Sequence, residues 1–260
     1  MRCFPFVTPN GMPSKTRPGF SNHKGLMVKS PQKCLIFDLD DTLIHSARAY
    51  DSALAELGLS RKNADYLAGR EKVKNRLPTA HVAGRNRLLY FKAMLEGQGK
   101  FSASATLALM ERYERSLARE FAVLWTPDRE KLVRELGKTY RLILATNENC
   151  RTQLIKIEAI DPKGDLFSRV LISEEFGEEK PSPRIFREVL AAAQCPPEHC
   201  LFIGDSQSAD IVGAKSHGIK ACRSREFRQD DKPPENPAMK PDFIINSLIE
   251  LPPLLASVWP

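Results

Sequence analysis

The stretch C-L-I-F-D-L-D-D-T-L-I-H-S, Cys34 to Ser46, decides the reading of the fold. Cys34 to Phe37 has the length and apolar character of a strand covered on both faces, as in a parallel sheet. Acids begin where that strand should end. Ligands of open α/β sheets bind beyond the carboxyl ends of strands, so Asp38, Asp40 and Asp41 are expected at the mouth of a site and not in a core. Three crowded carboxylates repel one another unless a cation or hydrogen bonds hold them. A hard divalent ion such as magnesium suits them, because it takes one or two carboxylates and keeps positions open for water and phosphate oxygens.

Working outward, the segment before this stretch has a different composition. Met1 to Lys33 holds five Pro, three Gly and six Lys or Arg, and no acid occurs before Asp38. Residues 1–32 therefore read as a disordered or variable lead-in. A start at Met27 belongs to that same reading, and a targeting peptide is the alternative. The 260 residues are enough for one large domain with an insertion, and 42% hydrophobic with 27% charged residues is ordinary globular composition. The formal charge of +7 favours anionic ligands without choosing among them. Cys3, Cys34, Cys150, Cys195, Cys200 and Cys222 form no C-x-x-C pair and read as reduced packing residues. A cytoplasmic location is expected, with organelle targeting by the lead-in left open, and no apolar run reaches the roughly 20 residues that span a membrane.

After the first strand the pattern turns helical. Ala47–Leu57, Arg61–Val73, Arg85–Leu95 and Ala103–Val123 have helical apolar spacing, broken at Gly58, Pro78, Gly84, Gly97 and Gly99. Residues 46–125 are read as a helical cap inserted into a core made of 33–45 and 126–260. Between Ala47 and Trp125 there are fourteen Lys or Arg against eight Asp or Glu, so the surplus positive charge sits in the lead-in and the cap. Alternation then resumes: a helix over Asp128–Leu136, a strand Arg141–Ala145, a helix from about Arg151, a strand Arg169–Ile172, a loop Ser173–Pro183. Next come a helix Ile185–Ala193, a strand Cys200–Ile203, a helix Ala209–His217 and a strand Ile219–Cys222. A polar loop Arg225–Pro241 leads to a final strand at Asp242–Ile245 and a helix over Ser247–Leu255. Such alternation predicts an α/β fold, a Rossmann-like, mostly parallel sheet with helices on both faces, plus the inserted all-helical cap.

Polar residues follow one strand after another: Asp38 and Asp40, then Thr146 and Asn147, then Lys180 in a loop, then Asp205 after Gly204. In a parallel sheet these ends share one edge. Acids there suit a metal, and a hydroxyl, an amide and an ammonium suit the oxygens of a phosphoryl group.

In this order the residues resemble the four signatures of the haloacid dehalogenase superfamily, and of its phosphatases with a C1-type helical cap. D-x-D-x-T matches Asp38 to Thr42, the strand-end Thr matches Thr146, the Lys matches Lys180 in K-P-S-P-R-I-F, and G-D with a later Asp matches Gly204, Asp205 and Asp210. The resemblance implies that Asp38 is the nucleophile, forming an aspartyl-phosphate. It implies that Asp40 protonates the leaving oxygen and then activates water, the better shielded of the two carboxylates being the one able to hold a proton. Mg2+ would be held by Asp38, the backbone carbonyl of Asp40, and Asp205. Thr146 and Lys180 would bind the phosphoryl, Asn147 would add an amide, and Asp210 would either approach the metal through water or orient Lys180. Dehalogenases of the superfamily lack the second Asp, so Asp40 points to phosphate chemistry.

Each residue also has a plainer reading. Asp41 is better taken as a cap or turn residue, Thr146 alone would pass for a helix cap, and Lys180 lies among Glu174, Glu175, Glu178 and Glu179 as a surface ion-pair partner would. His45 is left as structural. Most cap charges are a solvated surface, with Arg48, Arg85 and Arg87 the candidates to meet a second anionic group on a substrate. The expected function is a magnesium-dependent phosphatase of a small phosphomonoester: a sugar phosphate, a phosphoglycolate-like acid or a nucleoside monophosphate. A phosphoprotein phosphatase and a non-enzymatic binding module are the alternatives. No nucleic-acid or membrane partner is expected, and oligomeric state is left open.

Overall fold

The structure, a computed structural model, describes residues 33–228 and 234–259, so the expectation for 1–32 lies outside the described residues. Strand β1 (Cys34–Phe37) lies at the centre of a six-stranded sheet, flanked by β2 (Arg141–Thr146) and β4 (Cys200–Gly204). Outside these come β3 (Arg169–Ile172) beside β2, and β5 (Lys220–Ser224) followed by β6 (Phe243–Ile245) beside β4. Every pairing is parallel, so "mostly parallel" sharpens to all-parallel among the described residues. Ile36 lies between Ile143 and Phe202 in register, which brings the ends of β1, β2 and β4 to one edge.

Alternation of side chains along the strands splits the core in two. Leu35, Phe37, Leu144 and Ile203 face one layer; Cys34, Ile36, Ile143 and Phe202 face the other, against α7 (Pro183–Ala193) and the short α8 (Val212–Lys215). The first layer runs without interruption into the insertion. Leu39, Leu43 and Ile44 join Phe91, Tyr113, Leu117 and Phe121 in one buried cluster. The insertion comprises α1 (Ser46–Glu56), α2 (Ala64–Lys74), α3 (Arg87–Gly97) and α4 (Ala103–Leu124), and α4 packs on both α1 and α6 (Cys150–Ile160) of the core.

Local chemistry sets the helix ends. Asn63, Asn86, Ser102 and Asn149 each accept a backbone N–H in the first turn of the helix that follows, supplying a partner the helix lacks. Thr126 does so for α5 (Pro127–Gly137), where Pro127 at the first position removes another orphan donor. Gly69 has a packing reason. A Cβ there would lie 2.8 Å from the carbonyl oxygen of Tyr90 and 2.9 Å from the amide nitrogen of Met94, so only glycine lets α2 and α3 meet backbone to backbone.

Three elements differ from the sequence expectation. The helix expected at Ala209–His217 is a π-turn over Gln207–Ile211 followed by α8. Val82–Arg85 is a separate 3-10 turn, and α3 starts after it at Arg87, because Asn86 is extended and caps the new helix. The last segment is a 3-10 turn, Leu248–Glu250, before α9 (Leu251–Val258). No helix among the described residues is long and apolar enough to cross a membrane.

Candidate active site

The residues that follow β1 turn tightly. Asp41 takes a left-handed backbone conformation (φ 57°) and its carboxylate accepts the amide of Ala47 at 2.9 Å, so it serves the start of α1, as its plainer reading holds. Asp38 is turned inward, its Oδ2 accepting from the buried Thr42 hydroxyl at 3.2 Å and its Oδ1 from Lys180 Nζ at 2.7 Å. Lys180 is buried, not a surface ion-pair partner. Its ammonium also donates to Asp210 Oδ1 at 2.7 Å and to the carbonyl of Ala145 at 2.8 Å, so three acceptors take its three protons. The four nearby glutamates bond elsewhere: Glu174 to the Cys150 amide, Glu175 to the Ile172 amide, Glu178 to Ser182 and Glu179 to Arg85.

Asp205 and Asp210 reach the same point from the end of β4. A Cβ at Gly204 would lie 2.4 Å from Asp210 Oδ2, so the absent side chain is what admits that carboxylate. The π-turn carries Asp210 back over β4, where Oδ2 accepts the Ser206 amide at 3.0 Å. Carboxylate oxygens of Asp38, Asp205 and Asp210 lie within 4.8 Å of one another, all three buried. Burial pushes the Asp38 carboxyl well above its ordinary range against the pull of Lys180, with Asp210 and Asp205 adding to the rise. Asp205 is pushed up to about 7 by burial and by Asp210, while Arg228, donating to it at 3.1 Å, pulls the other way. Asp210 and Asp38 outweigh burial at Lys180 and hold its ammonium protonated above the ordinary value. Excess negative charge that two cations leave uncompensated, on hard oxygen donors, fits a divalent ion.

Asp40 faces a different environment. Lys156 Nζ, fully buried on α6, meets both its oxygens at 2.8 and 2.9 Å, the Gln153 amide donates at 3.0 Å and the Tyr50 hydroxyl at 3.0 Å. Burial opposes the charge, but Lys156 overcomes it and keeps the carboxyl below the usual range. The shielding therefore runs opposite to the sequence expectation: the Asp38 side chain is 8% exposed and that of Asp40 25%. The reason is α6, whose two inward polar side chains create a polar recess around Asp40.

Thr146 is buried and its hydroxyl accepts from Gln153 at 2.5 Å; Asn149, not Thr146, caps α6. Asn147 spans the loop of Lys180, accepting its amide at 2.7 Å and donating to its carbonyl at 3.3 Å. Asp38, Asp40, Asn147, Lys180, Asp205 and Asp210 line one cleft of about 160 Å³ with Tyr50, Arg85 and Arg87 of the insertion. Arg48 is exposed and does not line it, and His45 stacks on Phe227 at 5.2 Å.

The haloacid dehalogenase-like hydrolases match this chain over residues 32–218. The chain belongs to that family. Among haloacid dehalogenase-like hydrolases, a mouse (Mus musculus) N-acylneuraminate-9-phosphatase is 27% identical over 89% of this chain and 97% of its own. A ribulose-1,5-bisphosphate 5-phosphatase of Halopiger xanaduensis is 32% identical over 72% of this chain and 82% of its own. The Bacillus subtilis HAD-hydrolase YfnB, solved with magnesium bound, superposes with a TM-score of 0.64 at 26% identity, over 87% of this chain and all of its own. With such relatives, and with Asp40 in place, this haloacid dehalogenase-like hydrolase is a phosphatase.

Sequence reasoning passed over Lys156, Gln153 and Tyr50. A signal was present on α6: Gln153 and Lys156, three apart, fall on the stripe that Ile157 and Ile160 mark as buried, and a buried Lys demands a carboxylate partner.

Proposed function

We propose that this phosphatase is magnesium-dependent, hydrolyses a small phosphorylated metabolite, and works through a phosphoryl group carried on Asp38. The observation that carries the reading is one buried cleft that holds Asp38, bonded by Lys180 and clustered with Asp205 and Asp210, and, two residues on, Asp40 held by Lys156. Asp38, Asp205 and the backbone carbonyl of Asp40 would hold the magnesium ion, with Asp210 near it. When bound, the ion neutralises the charge of the carboxylates and of the phosphoryl oxygens.

A carboxylate oxygen of Asp38 attacks phosphorus, and the bond from phosphorus to the ester oxygen breaks. Lys180 binds the transferring group, and Thr146 exchanges its bond to the Asn147 carbonyl for a phosphoryl oxygen. Asn147 holds the Lys180 loop instead of meeting substrate. The leaving oxygen takes its proton from Asp40. An arriving phosphoryl dianion raises the proton affinity of a neighbouring carboxyl, which opposes Lys156 and loads Asp40 for this step. Asp40, ionised again, then removes a proton from water as it attacks the aspartyl-phosphate; inorganic phosphate leaves and Asp38 is restored.

The test is phosphate release from a panel of sugar phosphates, phosphoacids, nucleotides and a phosphopeptide, with magnesium and with chelator. Magnesium-dependent release from small molecules is expected. Release from the phosphopeptide alone, or release unchanged by chelator, would overturn the reading.

A further inference from the structure

Beside the cleft lies a second cavity of about 370 Å³ within the insertion, sharing Asp41, Tyr50, Arg85 and Arg87 as common walls. Its lining carries five cations, Arg61, Arg70, Lys74, Arg85 and Arg87, against one carboxylate, Asp41, which is engaged by the Ala47 amide. Three of the cations are paired. Arg61 bonds Asp51, Arg85 bonds Glu179 at 2.7 Å, and Arg87, whose side chain is 14% exposed, bonds the buried Glu148. The side chains of Arg70, half-buried, and Lys74, exposed, make no ion pair or hydrogen bond among the described residues, although Glu179 attracts Lys74 from a distance.

Their positions make this arrangement costly. Tyr66, Arg70 and Lys74 stand four residues apart along one face of α2, and like charges at that spacing weaken a helix. Lys74, although an exposed residue, is pushed below its ordinary value by partial burial and by Arg70 and Arg85, against the pull of Glu179. A wall that gathers cations without partners is stabilised by an anion. A cation is excluded, and a neutral remote group would leave Arg70 and Lys74 as they are.

Resting on the phosphatase reading, we propose that this cavity binds the far end of the substrate and that this end bears a second anionic group, a carboxylate or a second phosphate, held by Arg70 and Lys74. Arg85 and Arg87, being already paired, form the passage between the two cavities. Tyr50, Tyr66, Tyr90 and Tyr113 around the cavity supply phenol rings to the carbon chain between the two anions, and Tyr66 and Tyr113 supply hydroxyls, those of Tyr50 and Tyr90 being engaged by Asp40 and the Gly84 carbonyl; this suits a hydroxylated chain.

The test compares matched probes: fructose 1,6-bisphosphate against fructose 6-phosphate for a second phosphate, and 6-phosphogluconate against glucose 6-phosphate for a carboxylate. Binding is measured by calorimetry on the Asp38→Asn chain with magnesium, and turnover on the unaltered chain. One pair should show at least about tenfold preference for the doubly anionic member, and Arg70→Gln with Lys74→Gln should cut that preference about tenfold, through KM more than kcat. The pair that responds identifies carboxylate or phosphate. Equal binding of both members of each pair, or a preference that survives both substitutions, would overturn the assignment. Preferential binding of a doubly anionic probe, with phosphate released from a phosphopeptide alone, would sink the small-metabolite reading and leave the anion site standing, so the two failures are distinguishable. Should the double variant fail to fold, Arg70→Gln alone reads the same ratio.

Discussion

The floor of the cleft and the insertion above it solve opposite electrostatic problems. The floor buries Asp38, Asp205 and Asp210 against Lys180, a cluster short of positive charge, whereas the insertion lines its cavity with cations, two of them unpaired. On the proposed reading, a metal ion and a doubly anionic ligand would bring each region the charge it lacks. Binding to such a site also stabilises the folded chain by mass action.

The strongest way to break this comparison is at the floor. Asp38→Asn should lower phosphate release by about 10⁴-fold or more while leaving the circular dichroism spectrum unchanged; residual activity within tenfold would remove the covalent route. Next in size, Lys180→Met strands Asp38 and Asp210 without their shared ammonium. A loss of about 3–5 kcal/mol is expected in urea unfolding, smaller when magnesium is present. If magnesium brings no recovery, the floor is not short of a cation.

The pH dependence sharpens the same contrast. Asp205 is pushed up to about 7 from an ordinary value near 3.8, so the folded chain binds more protons than the unfolded one between them. Stability in chelator should then fall as pH rises from about 4 to 7, by about 5 °C in Tm, and magnesium should flatten the slope. Asp40 acts in the other direction: its bond to Lys156 stabilises at neutral pH and is lost only as pH falls below the usual carboxylate range. Lys156→Met should move that loss upward in pH, and acid unfolding at the unaltered midpoint would show the pair to be inert. Smallest, Asp41→Ala removes one acceptor at the start of α1 and should cost about 1 kcal/mol; a several-fold larger loss would mean Asp41 belongs to the floor.

What could be read in advance follows the physics. Apolar runs that end in Asp38, Thr146 and Asp205 announce buried parallel strands, because few other elements place four or five apolar residues directly before acids and hydroxyls. Lys180 was legible only through its family signature, since four adjacent glutamates mimic a surface loop and only the fold carries the ammonium beneath the sheet edge. Lys156 and Gln153 depend on which face α6 turns toward β1, and Arg70 and Lys74 on how α2 lies against α3. Those are tertiary facts. Local spacing marks each helix without saying what its polar side meets.

Gly69 bears on what the insertion can distinguish. Because α2 and α3 touch through their backbones there, with Tyr90 and Met94 leaving no slack, the backbone that carries Arg70 one residue on is held by main-chain contact. Such a frame fixes where the Arg70 side chain starts, so on the proposed reading its own rotamers, and not movement of the helices, set how far it reaches toward an anion.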